Sequence, residues 1–414
     1  MDTPQSSEQQ ATPLRAVRFC TAFGRAMHES GSPAMRLEQR LEHVSNALGV
    51  PGQFFATPTA IMAQYRLPGK RRPYADMVRA RPGGVDLGRL ADLERLGRRV
   101  CDRRLDLGDA VDVLRALEQQ TQPALWRNLL PAVLISAAAA RFLGGGLAEI
   151  VVAALAGAFI AALEDRAARR GSRDRLVPPV AAAVSAFGVA ACAGFLPTLN
   201  PTLALVASLI VLVPGLEFTL AVKEISTENL VSGSARLTSA IGDFLLLAFG
   251  VALGTRVATV ALGPATAAAV VQLPEWTLWA ALAVAAIGFA MRFRAHRSDI
   301  GWVALACFVS WVGAQAGGRV LGPDLGVLIA ALGVGLAANA RARWSGTSSM
   351  VMMIPGLILL VPGSFGLRAI DLMLHDDVVS ALGTVFSMLI VATTLSTGLL
   401  LANLLLPSER SSER

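Results

Sequence analysis

The sequence predicts a multi-pass α-helical membrane protein: about ten transmembrane helices, forming two inverted five-helix repeats, preceded by a small α+β cytoplasmic domain. Three observations predict it. The chain of 414 residues is 54% hydrophobic and 16% charged, with a mean hydropathy of +0.54. Its charges are unevenly placed: residues 1–127 hold 19 of the 37 basic and 14 of the 30 acidic side chains. The remainder is a series of apolar runs of membrane-spanning length, separated by short charged or Pro/Gly loops. Finally, Leu-Val-Pro-Gly occurs twice, at 212–215 and 360–363, each time closing a long apolar run.

Residues 1–13 are polar and read as a disordered tail. No apolar segment of the signal-peptide type follows, so the domain at 14–125 is expected to stay in the cytoplasm. Apolar residues at helical spacing predict amphipathic helices over 14–30 and 33–48, the second with Pro33 in its first turn and Gly49 at its end. Residues 53–66 and 74–81 are rich in β-formers, with Pro68-Gly69 between them, and predict a hairpin or two short strands. Helix returns over 87–104 and 109–119.

The membrane part divides into spans near 128–143, 146–163, 177–195, 201–216, 236–254, 276–292, 300–317, 325–340, 350–367 and 378–405. Several are short or rich in Gly and Ala, which suits close helix packing. With the N-terminus inside, three loops fall on the cytoplasmic side. They carry Arg166, Arg169, Arg170, Arg173 and Arg175, then Arg292, Arg294 and Arg297, then Arg341 and Arg343. The opposite loops are poor in basic residues: 196–200 has none and 317–324 has Arg319. Repeats of five spans, at 126–255 and 256–406, would be inverted relative to each other, leaving a cytoplasmic tail at 407–414. The two Leu-Val-Pro-Gly elements then occupy the fourth span of each half and run in opposite directions. Pro and Gly break helices, and in lipid the freed backbone must find partners or line a cavity. Transport sites are built this way at repeat interfaces.

Other classes find little support. Cys20, Cys101, Cys192 and Cys307 are too scattered for a disulfide framework or a zinc site and read as small hydrophobes. The pI near 10.0 reflects arginine without aromatic interleaving, which fits attraction to the lipid bilayer rather than nucleic acid. No His-Glu-x-x-His pair or Gly-x-Ser-x-Gly elbow is present, and His28, His43, His296 and His375 all lie outside the apolar runs. The chain is therefore read as a non-enzyme without metal or cofactor.

The densest polar insert of the membrane half is 213–241, with Glu217, Thr219, Lys223, Glu224, Glu228, Ser232, Ser234 and Arg236. Glu217, Glu224 and Glu228 recur at helical spacing and so share a face. The insert reads either as a solvated surface helix or, for Glu217 just past the break, as part of a cavity. Asp243 lies inside the fifth span, where a carboxylate is costly and usually faces a cavity, a partner or a proton path. It is the candidate for proton coupling, the alternative being an architectural salt bridge to Arg236. In the second half, Pro355-Gly356 and Pro362-Gly363-Ser364 place two breaks about two turns apart, whose amides suit a carboxylate. Arg368 suits an anionic group, while Asp371, His375, Asp376 and Asp377 read as a solvated loop.

These residues carry a resemblance. Gly31-Ser32, Arg36-Leu37-Glu38, Ala47-Leu48-Gly49, Thr57-Pro58-Thr59 and Pro82-Gly83-Gly84-Val85-Asp86-Leu87 resemble the opening of the bacterial threonine/serine exporter family. Val213-Pro214-Gly215, Thr219 and Ser232-Gly233-Ser234-Ala235-Arg236 are similar to its first transmembrane signature, and Pro362-Gly363-Ser364-Phe365-Gly366-Leu367-Arg368 to its second. The resemblance spans roughly 14–405. It implies a ten-helix exporter of small hydroxy amino acids in the inner membrane, driven by the proton motive force, with both termini cytoplasmic. The chain departs from the family pattern at Leu220, Lys223-Glu224 and Glu228-Asn229, in the presumed substrate region.

The resulting expectation is export of a threonine- or serine-like amino acid. Pro214, Gly215, Glu217, Thr219, Lys223, Glu224, Arg236, Pro362, Gly363, Ser364 and Arg368 would form the path, and Asp243 would couple it to protons. The alternatives are export of a dicarboxylate such as succinate, or a membrane-embedded regulatory or hydrolytic protein. Homo-oligomerisation is compatible with either plan.

Overall fold

The computed structural model describes residues 4–80, 83–119, 124–170, 175–264, 269–345, 347–360, 363–374 and 377–407, and 76% of it is helical. Several sequence expectations lie outside the described residues: those on 1–3, Pro82, Arg173, Val361, Pro362, His375, Asp376 and 408–414. The chain divides into two compact units. One gathers Met1–Gln122, Glu224–Ala235 and Arg341–Met350; the other Pro123–Lys223, Arg236–Ala340 and Val351–Arg414.

The first unit begins with α1 (Pro4–Glu29), which starts inside the stretch expected to be a tail, and α2 (Ala34–Ala47). The strands β1 (Gly52–Thr57), β2 (Ala60–Tyr65) and β3 (Tyr74–Arg79) form an antiparallel meander in the order β1-β2-β3. The first turn falls at Pro58-Thr59, inside the run expected to be continuous. There the Thr57 hydroxyl donates to the Ala60 carbonyl and accepts from its amide, both at 3.1 Å, which closes the hairpin. Strand alternation buries Ala56, Ile61, Ala63 and Tyr65 on one face and leaves Phe55, Met62 and Met77 exposed on the other. Phe19, Phe23, Leu37 and Leu41 add the helical side of the core. Burial beside them pushes the Cys20 thiol up to about 12. Helix α3 (Leu87–Cys101) is capped by Asp86, and α4 (Leu107–Glu118) by Asp106, each carboxylate accepting a backbone amide three residues on.

The second unit is helical. Its helices are α5 (Trp126–Phe142), α6 (Leu147–Arg169), α7 (Val177–Phe195), α8 (Pro201–Leu209), α9 (Gly215–Ser226) and α10 (Leu230–Leu262). Then come α11 (Thr277–Arg292), α12 (Ile300–Leu321), α13 (Pro323–Ser345), α14 (Met350–Leu360), α15 (Gly363–Leu374) and α16 (Val378–Leu405). The distal ends of α9 and α13, the start of α10 and Met350 belong to the first unit. Among the described residues, seven helical segments are long and apolar enough to cross a membrane: α6, α7, α10, α12 with its leading turn, α13, α14–α15 taken together, and α16. Apolar side chains such as Leu155, Leu245 and Phe386 stand exposed on their outer faces, where lipid would cover them. The chain is a multi-pass helical membrane protein.

Small residues let these helices approach closely. A Cβ at Gly250 or Gly254 of α10 would lie 2.3 or 2.1 Å from the carbonyl oxygens of Pro179 and Ala183 on α7. Two buried polar side chains are matched across helices. Glu149, at 1% exposure, accepts amides of both Gly146 (2.8 Å) and Asn200 (2.7 Å), tying the start of α6 to that of α8. The Asn339 amide donates to Asn403 Oδ1 and to the Leu406 carbonyl, both at 2.8 Å.

Candidate functional site

The first Pro-Gly element breaks a helix. Residues 210–214 lie between α8 and α9, and the Pro214 carbonyl accepts the Phe218 amide at 2.9 Å, so helix resumes at once. In the second half, α14 ends at Leu360 and α15 starts at Gly363. The two elements meet. A Cβ on buried Gly363 would lie 2.7 Å from Val213 Cγ1 and 3.9 Å from Gly215 Cα, and one on Gly366 would lie 2.3 Å from the Phe244 ring of α10. Apolar packing seals the junction: Leu212 and Val213 join Val206, Leu209, Leu247 and Leu367 in one cluster. Ser310 Oγ on α12 donates to the Gly356 carbonyl of α14 at 2.8 Å, a polar tie between the two helices.

Polar residues stand around this junction. Glu217, in the first turn of α9, is exposed. It lies within electrostatic range of Arg236 and Asp243 on α10. Asp243 is half-buried and also within range of Arg175. Ser364 is half-buried and Arg368 exposed on α15. Buried Thr219 donates to the Gly215 carbonyl at 3.0 Å, so its hydroxyl serves its own helix. Lys223 is half-buried at the end of this unit's share of α9. The structure thus gathers Pro214, Gly215, Glu217 and Gly363 with Arg236 and Asp243 near Glu217. Pro362 lies outside the described residues. Among the described residues, no three His, Cys, Asp or Glu side chains gather as a metal site requires.

Glu224 falls in the first unit, is buried, and accepts the Ser232 hydroxyl at 3.0 Å. The face shared with Glu217 stops there. Amides of Thr227 and Asn229 both bond the Glu224 carbonyl, α9 ends at Ser226, and Glu228 sits in the turn at φ +63°. On α2, Glu38 Oε1 accepts the Ala56 amide at 2.6 Å. Burial, with the Glu224 charge adding to it, pushes the Glu38 carboxyl above its ordinary value.

Sequence reading missed a second buried carboxylate in that unit. Glu94 of α3, fully buried, takes a two-pronged hydrogen bond from Arg36 (2.8 and 3.1 Å) and one from Ser348 (3.1 Å), and Arg36 also donates to Ser349 (2.7 Å). Burial alone would raise the Glu94 carboxyl. The Arg36 and Arg40 guanidiniums, with the bonds from Arg36 and Ser348, hold it below the ordinary carboxylate range.

Comparison with known proteins agrees with this architecture. Residues 18–258 match the threonine/serine exporter family model ThrE, and 278–405 match a second model described as threonine/serine exporter, ThrE. The chain belongs to the threonine/serine exporter family. Its relatives include pheromone-regulated membrane protein 10 of Eremothecium gossypii, 24% identical over 368 residues that cover 86% of this chain and 49% of the relative. An uncharacterized protein of Schizosaccharomyces pombe is 27% identical over 250 residues, covering 58% of this chain and 30% of the relative. The chain thus spans about half the length of the first and under a third of the second. No solved structure matches it.

Proposed function

We propose that the chain exports threonine- or serine-like amino acids across the cytoplasmic membrane, driven by the proton motive force. The carrying observation is the meeting of the two broken segments, Val213 and Gly215 against Gly363. Element order supports two inverted repeats and ten crossings. Three helices (α5–α7), a broken pair (α8, α9) and a long helix (α10) are followed by three helices (α11–α13), a broken pair (α14, α15) and a long helix (α16). Loop arginines favour cytoplasmic termini. A zwitterion needs two kinds of partner. Amides at the breaks, or Arg368, serve its carboxylate, and Glu217 serves its ammonium, with Asp243 as the proton carrier.

Counterflow into proteoliposomes, with a panel of amino acids and dicarboxylates and with or without a pH gradient, tests this. Threonine or serine movement that responds to the gradient supports it. Movement of succinate alone replaces the substrate, and movement of no cargo overturns the transport reading.

A further inference from the structure

We infer that the adjoining ends of α6 and α7 hold an anionic phospholipid, with its phosphate between Arg166 and Arg170. A groove of about 210 Å³ opens there, walled by apolar residues that include Leu163, Leu176, Val177 and Val180 and headed by the two arginines. Arg166 and Arg170 are four residues apart on α6, so their guanidiniums rise from one face. Both are exposed. The arginine between them is engaged: Arg169 pairs with Asp165, which also accepts the Asn128 amide at 2.8 Å. Among the described residues, Arg166 and Arg170 have no carboxylate partner.

Both helices are of membrane-crossing length and hydropathy, so their ends lie at headgroup depth and the apolar wall beside them at the top of the acyl region. Leu176 is 62% and Val180 47% exposed. A soluble phosphate would satisfy the arginines and leave that wall in water. A phospholipid covers both, its phosphate taking paired guanidinium bonds and an acyl chain lying on Leu163 and Val180. Two positive charges with no carboxylate partner among the described residues favour a headgroup of net negative charge over a zwitterionic one, whose ammonium they repel.

Native mass spectrometry of the full chain in mild detergent, titrated with phosphatidylglycerol, tests the site. One lipid is expected to stay bound, and R166Q/R170Q is expected to hold it about thirtyfold less tightly. R169Q, which removes one positive charge from the same turn, is expected to retain it, as are samples with millimolar inorganic phosphate. Phosphatidylethanolamine is expected not to replace it. Should the double variant lose its helical circular dichroism, the single variants R166Q and R170Q carry the test, each about fivefold weaker. Equal retention in these variants, or displacement by inorganic phosphate, overturns the proposal.

Discussion

The Ser348 hydroxyl donates to the Glu94 carboxylate at 3.1 Å, across 254 positions of sequence. The same Ser348 oxygen accepts the Met350 amide at 3.2 Å, at the first residue of α14. One side chain therefore joins a buried ion pair of the N-terminal helices to the 341–350 segment of the same unit. Removing the carboxylate strands Arg36 and leaves Ser348 without its acceptor. Glu94→Ala is expected to destabilise the first unit by about 3 kcal/mol, read by pulse proteolysis across a denaturant series. Ser348→Ala, which leaves the Arg36 pair in place, is expected to cost nearer 1 kcal/mol.

Acid separates Glu94 from Glu38. The folded Glu94 carboxyl lies below its ordinary value of 4.5, so its contribution is complete above pH 4.5 and disappears as pH falls through the lower folded value. Glu38 has the opposite sign. Its folded carboxyl lies above 4.5, so protonation favours the fold as pH falls toward 4.5 from above. Glu38→Gln keeps an acceptor for the Ala56 amide and is expected to raise first-unit stability at neutral pH while removing its gain on mild acidification. Stability measured against pH for wild type and the two variants checks both signs.

A methyl group at position 366 has no room. Its carbon would lie 2.3 Å from the Phe244 ring, and overpacking of this kind costs about 1–3 kcal/mol. Gly366→Ala is expected to lower the melting temperature of the purified protein, and Phe244→Leu in the same chain to restore much of the loss. A thermodynamic cycle in which the two changes merely add would remove the inferred contact.

Neutralising the junction carboxylates tests their proposed roles separately. Asp243→Asn is expected to abolish gradient-driven export while leaving counterflow of substrate, because exchange needs no net proton movement. Glu217→Gln is expected to weaken both, as a substrate contact would. The proteoliposome assay distinguishes the two patterns.

Much of the membrane half was legible because lipid imposes coarse, local rules. Apolar runs of span length, arginine-rich loops and Pro-Gly breaks are all visible within twenty residues of sequence. Asp243 stood out for the same reason, as a charge inside an apolar run. The junction itself was less legible. Gly366 matters because Phe244 lies above it, and no local pattern announces a contact across more than a hundred residues. Thr219 looked like a ligand by type, but at helical spacing from Gly215 its hydroxyl found the backbone first. Glu228 continued a helical period on paper, while the turn at 227–229 ended the helix before it. Glu94 was invisible for the plainest reason: on an amphipathic helix a glutamate reads as solvent-facing until its partners, distant in sequence, are placed against it.

The first unit is drawn from three separate stretches of chain, the last of them ending at Met350. That has a consequence for how the protein is made. Its N-terminal helices and sheet are synthesised before α5–α16. Glu94 and Arg36 can pair then, but Ser348 and Ser349 arrive only after α5–α13 have been synthesised. The domain made ahead of α5–α13 is completed only after them, and until Ser348 arrives its buried carboxylate waits with an acceptor position open.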